Sequence, residues 1–305
     1  MQTTQPTKLL DPQNPLANQR IDASGLELPN VVQVDSLDNE LLEPYLGLRS
    51  RNWTRQSGIF IAEGPLLVDR VIASSCHLHS ILLDRKYLVQ YIDRFPKSVP
   101  VLLVDHDLIE QLVGFNFHRG VLACGRRTEL KPITNQLCFP DHSETWIGLI
   151  GVQDPENVGG ILRSAAGLGV KRVLIGPGTA DPFSRRALRV SMGNVLALEL
   201  FESRQPLDDL KLLYSRGMEV ISTSLGANAV HLETAQRTKP LIILFGNEKH
   251  GLDQDVLSCS NRCVQIEMLQ GTDSLNVSAA AAITIHHFLR LCGSKSKSDS
   301  SNGQG

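Results

Sequence analysis

Two α/β domains joined by an irregular linker are the fold that the sequence predicts, and three observations predict it. The chain has 305 residues, which exceeds the usual size of one hydrophobic core. Short apolar runs alternate with amphipathic segments in two separate blocks, which is the pattern of strands and helices. Between the blocks, residues 129–144 mix Pro, Asn, Asp and Ser without either period, which indicates a linker. We therefore predict a first domain over residues 36–128 and a second over residues 145–292.

The first domain is predicted to be a small α/β unit. The run GIFIAEG is typical of a strand and turn, and PLLVDRVIASS is typical of a helix. After them come the strands LHSILLD and VPVLLVD, the helix HDLIEQLVG and the strand RGVLACGRR. Residues 1–35, which precede this unit, are rich in Gln, Asn, Pro and Asp and are predicted to be a mobile arm.

The second domain is predicted to contain a parallel sheet covered on both faces. Its elements are the strand WIGLIGV, the helix ENVGGILRSAAGLG, the strand KRVLIG, the helix SRRALRVSMG, the segment VLALELF, the helix LDDLKLLYSRG, the strands MEVISTS and PLIILFG, a short helix after Gly251, the strand CVQIEM and a long helix from Ser274 to Leu291. Near-continuous apolar strands separated by helices are typical of such sheets. Residues 293–305 have low complexity and are predicted to be a disordered tail.

Composition excludes several classes of protein. With 42% apolar and 20% charged residues, the chain is an ordinary globular protein. No apolar run approaches the roughly 18 residues that cross a bilayer, and the N-terminus lacks the layout of a signal peptide. We therefore expect a soluble, cytoplasmic protein with no membrane partner. The six cysteines are scattered without metal-ligand spacing, which predicts reduced thiols and no metal site.

Charge alone does not decide whether the protein binds nucleic acid. A formal net charge of −2 argues against a uniformly basic coat, but phosphate binding depends on local patches. Arginines cluster at three places, which are Arg49 with Arg51 and Arg55, Arg126 with Arg127, and Arg185 with Arg186 and Arg189. For any one cluster, RNA contact and a solvated protein surface are equally good interpretations.

Three loops of the second domain are candidates for the chemistry, because ligands of open parallel sheets bind where strands end. The loop of residues 153–160 follows WIGLIGV and opens a helix with acidic residues and two glycines. Asn157 and Arg163 can both face the loop side of the sheet only if Asn157 precedes the helix or lies in its first turn. The local pattern alone is better explained by an N-capped helix whose arginine pairs with a surface carboxylate.

The other two loops follow the strands PLIILFG and CVQIEM. Residues 246–252 contain two glycines that suit close approach by a ligand, and Glu248, which equally suits the positive end of the next helix. Residues 266–278 place Ser274 and Asn276 at the start of the last helix. Ser274 is the expected N-cap, whereas Asn276 is a poor helix former that must find a partner there.

Together, and in this order, the three loops resemble the three signature motifs of the SpoU (TrmH) family within the SPOUT class of methyltransferases. NVGGILRSA is similar to the first motif, LFGNEKHGL to the second and IEMLQGTDSLNVSAAAAI to the third, and the resemblance covers about residues 146–291. In the first domain, IFIAEGPLLVDRVI resembles the substrate-binding domain, similar to ribosomal protein L30e, that many members carry ahead of the catalytic domain.

The resemblance implies a fold and a cofactor that periodicity does not show. Chains almost never knot, but in this family the C-terminal segment threads a loop into a trefoil knot that forms the methyl-donor pocket. The implied donor is S-adenosylmethionine, and the implied contacts to it are Thr223, Gly246, Ile266, Met268 and Leu275. The second domain does not begin with the strand and G-x-G-x-G loop on which Rossmann-type enzymes normally rely, in agreement with this interpretation.

The resemblance also implies methylation of a ribose 2′-hydroxyl by a homodimer built across the donor pocket. The family's arginine, here Arg163, is held to activate the hydroxyl from the partner subunit. Because a guanidinium stays protonated to above about pH 12, we assign to it stabilisation of the emerging alkoxide and contact with the adjacent phosphate. Asn157, Glu248, Ser274 and Asn276 would orient Arg163, the ribose and the knot loops by hydrogen bonds.

We expect structured RNA as the substrate, and ribosomal RNA more than transfer RNA, because a separate domain precedes the catalytic one. A catalytically silent RNA-binding dimer is the alternative from another class, and a nucleotide-dependent oxidoreductase is disfavoured by the missing phosphate loop. Two positions depart from the third motif. Glu267 stands where proline is usual and Gln270 where glycine is common, so donor affinity or loop geometry can differ from the family's.

Overall fold

The computed structural model describes residues 30–48, 54–139, 143–226, 228–271 and 273–292. Most of the predicted mobile arm and all of the predicted tail lie outside these residues. The chain divides into two compact units. The described residues of the first unit lie within the ranges Met1–Thr128 and Phe183–Leu196, and those of the second lie within Glu129–Pro182 and Ala197–Gly305.

The strands are β1 (Val31–Val34), β2 (Ile59–Glu63), β3 (Leu78–Asp84), β4 (Val101–Val104), β5 (Val121–Arg126), β6 (Lys131–Pro132), β7 (Thr145–Leu149), β8 (Arg172–Ile175), β9 (Glu199–Glu202), β10 (Glu219–Thr223), β11 (Val230–His231), β12 (Leu241–Phe245) and β13 (Arg262–Gln265). The α-helices are α1 (Thr54–Ser57), α2 (Pro65–Ile72), α3 (Leu88–Tyr91), α4 (His106–Val113), α5 (Pro155–Leu168), α6 (Arg185–Val190), α7 (Pro206–Ser215), α8 (Gln254–Ser258) and α9 (Val277–His286), which continues as a π-helical turn over His287–Leu291. Within the described ranges, none of the helices has the length and apolar character that a membrane span requires.

The first unit contains a mixed five-stranded sheet in the order β1-β4-β3-β5-β2. Strands β1, β4 and β3 are parallel, and β5 runs antiparallel to β3 and β2. On one face, the buried side chains of these strands pack with Leu42, Tyr45 and Phe117. The α/β character predicted for this part of the chain is therefore confirmed.

Two boundaries predicted for the first domain differ from the structure. Strand β1 lies within residues 1–35, which we had interpreted as a mobile arm, but it pairs with β4 and buries Val31 and Val34. The segment Phe183–Leu196 belongs to the first unit although it lies within the predicted second domain. Its Phe183 ring stacks on that of Phe60, with 5.8 Å between centroids. Neither association has a local signal, because each depends on residues far away in the sequence.

The second unit contains an eight-stranded sheet in the order β11-β13-β10-β12-β7-β8-β9-β6. Every neighbouring pair is parallel, and β7 and β12 are buried along their whole length. The predicted parallel sheet is confirmed, and the burial explains why its central strands are near-continuous apolar runs. The predicted linker, however, is partly structured. β6 pairs with β9 at the edge of the sheet, and Ile133, Leu137 and Phe139 pack against the core.

Local signals determine where helix α5, which follows the first candidate loop, begins and ends. The Asp154 side chain accepts a hydrogen bond from the Glu156 amide at 2.8 Å, and Pro155 occupies the first helical position. Both features are typical of helix starts. Gly169, with φ of 102°, ends the helix in the left-handed conformation that glycine tolerates. Asn157 therefore lies in the first turn of α5, as its proposed role requires.

Candidate active site

The three candidate loops lie at one edge of the parallel sheet in the second unit. Strand β12 pairs with β7 on one side and with β10 on the other, and β10 pairs with β13. In a parallel sheet, the carboxyl ends of neighbouring strands meet at the same edge. The loops after β7, β12 and β13 are distant in the sequence and come together for this reason.

A cavity of about 330 Å³ lies at this edge of the sheet. The five residues that the family resemblance assigns to the methyl donor all line it, namely Thr223, Gly246, Ile266, Met268 and Leu275. Glu248 and Ser274, two of the predicted catalytic residues, line the same cavity. Sequence reasoning missed several lining residues, among them Leu225, Leu232, Val264 and Thr284. Leu225 and Leu232 follow strands, Val264 lies within β13 and Thr284 lies within α9. Isolated apolar and hydroxyl side chains at such positions form no motif.

The loop after β12 is folded tightly on itself. Asn247 and Gly251 exchange two backbone hydrogen bonds of 2.9 Å, and the Asn247 side chain accepts hydrogen bonds from the amides of Lys249 and His250. Gly246 is required here for space, since a Cβ atom at this position would lie 2.4 Å from the carbonyl carbon of Gly251. The backbone of this loop is thereby held in place at the wall of the cavity.

A chain of hydrogen bonds connects the three loops. Asn157 is only 8% exposed, and a buried amide needs partners for its donors and acceptor. Its side-chain NH₂ donates to Glu248 Oε1 at 3.0 Å, and its carbonyl oxygen accepts from the NH₂ group of Asn276 at 2.9 Å. The predicted residues Asn157, Glu248 and Asn276 are thus joined directly, one from each loop.

Glu248 is a carboxylate held in its charged form. Burial raises the pKa of Glu248, but hydrogen bonds from the Asn157 side chain and from the amides of Asp154 and Gln153 outweigh burial. The result is a pKa below its usual range. Because two of the donors are amides at the start of α5, Glu248 anchors the first loop to the second.

The last helix starts later than predicted, and Asn276 rather than Ser274 is its N-cap. Residues 273–276 are not helical, and α9 begins at Val277. The Asn276 side-chain oxygen accepts hydrogen bonds of 2.8 Å from the amide and the hydroxyl of Ser278. The Asn276 side chain therefore forms hydrogen bonds, as predicted from its poor helix propensity. It does so as the N-cap of α9, and it also donates to Asn157.

Replacement of Asn276 by alanine should lower the free energy of unfolding by about 1–2 kcal/mol, because it removes an N-cap and a partly buried hydrogen bond to Asn157. Ser274→Ala is the matched control and should change stability by less than about 0.5 kcal/mol, since Ser274 caps nothing. Urea unfolding of both variants measures the difference. If the two variants lost the same stability, the cap assignment would be wrong.

The departure at Gln270 has a structural consequence. Gln270 has φ of 58°, in the left-handed region that favours glycine, so the loop adopts a glycine-type conformation without glycine. A non-glycine residue there costs roughly 1 kcal/mol. Glu267, the other residue that departs from the third motif, is exposed.

Arg163 does not line the cavity that holds the other predicted residues. Its side chain is exposed on α5 and borders a separate groove with Leu168, Ile283 and Leu291. Within the described part of the chain it makes no hydrogen bond or ion pair, so the alternative interpretation of a surface salt bridge finds no support there. The structure therefore brings Asn157, Glu248, Ser274 and Asn276 together, but not Arg163.

Comparison with known proteins shows the family. Residues 144–286 match the model of the SpoU rRNA methylase family. An uncharacterized tRNA/rRNA methyltransferase of Mycobacterium bovis is 35% identical over 236 residues, which cover 76% of this chain and 81% of the relative. A 23S rRNA (guanosine(2553)-2′-O)-methyltransferase of Bacillus subtilis is 24% identical over 258 residues, which cover 84% of this chain and 98% of the relative.

The fold agrees with a solved structure along most of the chain. The AdoMet-bound rRNA methyltransferase from Sinorhizobium meliloti superposes with a TM-score of 0.74 at 25% identity, covering 86% of this chain and 98% of that one. Sequence identity to full-length relatives, the parallel sheet and the three assembled loops agree with one another. The chain belongs to the SpoU family of RNA methyltransferases.

Proposed function

We propose that this protein transfers the methyl group of S-adenosylmethionine to a ribose 2′-hydroxyl of ribosomal RNA in the cytoplasm. The observation that carries the proposal is the cavity in which the five residues matched to the donor site lie beside the hydrogen-bonded Glu248, Asn157 and Asn276. Ribosomal RNA is preferred because the Bacillus subtilis relative, which methylates 23S rRNA, aligns over 98% of its length. The trefoil knot and the likeness of the first unit to L30e stay predictions.

The lining of the cavity fits S-adenosylmethionine. Leu225, Met268 and Leu275 offer apolar surface for an adenine ring. The tight loop at Gly246, where a Cβ atom would meet the Gly251 backbone, places bare backbone at the cavity wall. The lining carries both the Glu248 carboxylate and the Lys249 ammonium group, and the carboxylate, which stays charged, suits the cationic sulfonium of the donor. When bound, the donor supplies an electrophilic methyl group on a sulfonium.

The residues of the chain have to position the ribose and stabilise its oxygen as charge develops there. With the donor held by the residues that line the cavity, the ribose 2′-oxygen would gain the methyl group, the sulfonium would leave as a neutral thioether, and the hydroxyl proton would pass to water. We assign to Arg163 the stabilisation of the emerging alkoxide, because its guanidinium remains protonated. The hydrogen-bonded Asn157, Glu248 and Asn276, together with Ser274, would hold the loops that orient the ribose.

We propose further that the enzyme is a homodimer in which Arg163 acts on the cavity of the partner subunit. Arg163 does not line the proposed donor cavity of its own chain. In the groove that Arg163 borders, Ile283 is 44% exposed and Leu291 is 56% exposed. Exposed apolar residues that share a groove are typical of an interaction surface. A second copy seated there would cover them and bring its own cavity toward Arg163.

The test is methyl transfer from radiolabelled S-adenosylmethionine to unmodified transcripts of the ribosomal RNAs and to transfer RNA. We expect incorporation into ribosomal RNA that stops at one methyl per molecule and is lost with 2′-deoxyribose at the mapped site. Incorporation into transfer RNA alone would overturn the ribosomal assignment. No incorporation, together with no donor binding by calorimetry, would instead support the catalytically silent dimer.

A further inference from the structure

A second cavity, of about 380 Å³, lies in the first unit, and none of the residues assigned to methyl transfer lines it. It is lined by Glu63, Tyr87, Tyr91, His118, Arg119 and Arg189, among others. Its volume is within the range of roughly 300–1,000 Å³ that is typical of small-ligand pockets. Residues from two sequence features that the proposed catalytic site does not include line this cavity. They come from the FIAEG segment, which ends just after β2, and from the arginine cluster of α6.

The Glu63 carboxylate is a buried charged group of this cavity. The residue is 8% exposed, and its Oε2 atom is buried without a hydrogen-bond partner among the described residues. The nearest cations are Arg119, with Nε 3.7 Å from Oε1, and Arg185, with Nε 3.9 Å from Oε2. Both distances exceed that of a hydrogen bond. A buried carboxylate that accepts no hydrogen bond is costly, and a ligand with N–H donors would relieve this cost.

Two tyrosine rings form an aromatic wall of the cavity. The rings of Tyr87 and Tyr91 lie 6.0 Å apart, and Tyr91 is buried while Tyr87 is half-buried. The Tyr87 ring packs closely against Gly120, where a Cβ atom would lie 2.3 Å from the ring, and Lys86 Nζ lies 5.2 Å from the ring centroid. Tyr87 is thus a pre-positioned aromatic surface, which is the kind of surface on which unstacked nucleic-acid bases bind.

The rim of the cavity is cationic. Arg119 and Arg189 are exposed, and within the described residues neither makes a hydrogen bond. Arg119 makes only the long ion pair with Glu63. Met192, which lines the cavity beside them, has φ of 54°. Strained non-glycine residues of this kind cluster at ligand sites. Arginines over an aromatic wall suit a ligand with a phosphate next to a planar base.

We propose that this cavity binds one unpaired nucleotide of the RNA substrate. The base would lie against Tyr87, an exocyclic amino group of the base would donate to Glu63, and Arg119 and Arg189 would hold the adjacent phosphates. A paired base is excluded, because its face is stacked and its amino group is engaged. The inference rests on the proposed function, since it concerns how the RNA substrate is recognised by residues other than those assigned to methyl transfer.

The first experiment measures RNA affinity rather than methylation, so that it remains informative if the proposed activity fails. Filter binding of the full-length protein to unmodified ribosomal RNA transcripts should show Kd raised about tenfold in Tyr87→Ala and in Glu63→Gln. Tyr87→Phe should retain affinity, because it preserves the ring. Val89→Ala is the matched control and should leave Kd unchanged. Val89 is 91% exposed and does not line the cavity.

The second experiment identifies the ligand group by NMR titration of the full-length protein with single nucleoside monophosphates. GMP, AMP and CMP, which carry amino groups, should bind several-fold more tightly than UMP, and Glu63→Gln should abolish this preference. S-adenosylmethionine affinity should not change in any variant. RNA affinities of Tyr87→Ala and Glu63→Gln within twofold of the wild type would overturn the proposal, as would a preference that survives in Glu63→Gln.

Discussion

Arg163→Ala should lower kcat for methyl transfer by at least about 1,000-fold and leave the Kd for S-adenosylmethionine within a few-fold of the wild type. Loss of one preorganised group that stabilises an oxyanion costs about 100- to 1,000-fold, and Arg163 is assigned a phosphate contact in addition. Donor binding should survive, because Arg163 does not line the cavity that would hold the donor. Single-turnover kinetics and calorimetry measure the two quantities.

Arg204→Ala provides the control, since this arginine of the second unit has an 82% exposed side chain and, among the residues that the structure describes, pairs with Glu202 alone. It should retain wild-type kcat. Equal loss of donor binding and turnover in Arg163→Ala would show that our assignment of Arg163 to the RNA is wrong.

Gly246→Ala should weaken binding of S-adenosylmethionine by at least about 100-fold and reduce turnover at ordinary donor concentrations accordingly. The added Cβ would lie 2.4 Å from the Gly251 carbonyl carbon and 2.5 Å from the Leu252 amide nitrogen. Backbone atoms cannot rotate away as a flexible side chain would, so the loop has to move. Overpacking of this kind also costs roughly 1–3 kcal/mol of stability. Calorimetry gives the Kd, and urea unfolding gives the stability.

Gly217→Ala separates loss of stability from loss of the donor site. Gly217 has φ of 92° and open space where a Cβ would lie, so alanine there is strained by roughly 1 kcal/mol but lies outside the cavity lining. Donor affinity should be unchanged in this variant. Wild-type donor binding by Gly246→Ala would exclude this loop from the donor site.

Mixing the two inactive variants tests the proposed dimer. If Arg163 acts on the partner's cavity, a heterodimer of Arg163→Ala and Gly246→Ala has one complete site, formed by the intact cavity of one chain and the intact arginine of the other. Random reassociation of equal amounts should then restore about a quarter of wild-type activity. If Arg163 acts within its own chain, the mixture should stay inactive.

The period of apolar residues predicted most elements of both units, because it reports which face of a single helix or strand is buried. It failed where burial depends on a distant partner. The four residues of β1 gain their place by pairing with β4, and β6 by pairing with β9. The segment Phe183–Leu196 packs on the first unit through Phe60, more than a hundred residues earlier.

The candidate site was likewise predicted only in part. The three motifs indicated Asn157, Glu248 and Asn276 as a group, because their order along the chain resembles a known family. Their direct bonding was not readable from the motifs. Ser274 was the expected cap by residue type, but Asn276 takes that position because its amide can cap α9 and bind Asn157 at once.

By itself, the sequence determined the α/β class, the parallel sheet of the second unit and the family, and it predicted several of the residues that line the cavity at the edge of that sheet. These properties are encoded in short segments, where periodicity and motif spacing reflect local burial and chemistry. Only the tertiary structure decided which distant segments share a unit, where α9 begins, that Arg163 lies outside its own chain's cavity, and that Glu63, Tyr87 and Arg189 line one pocket. Such juxtapositions arise from packing between residues far apart in the chain, on which no local pattern depends.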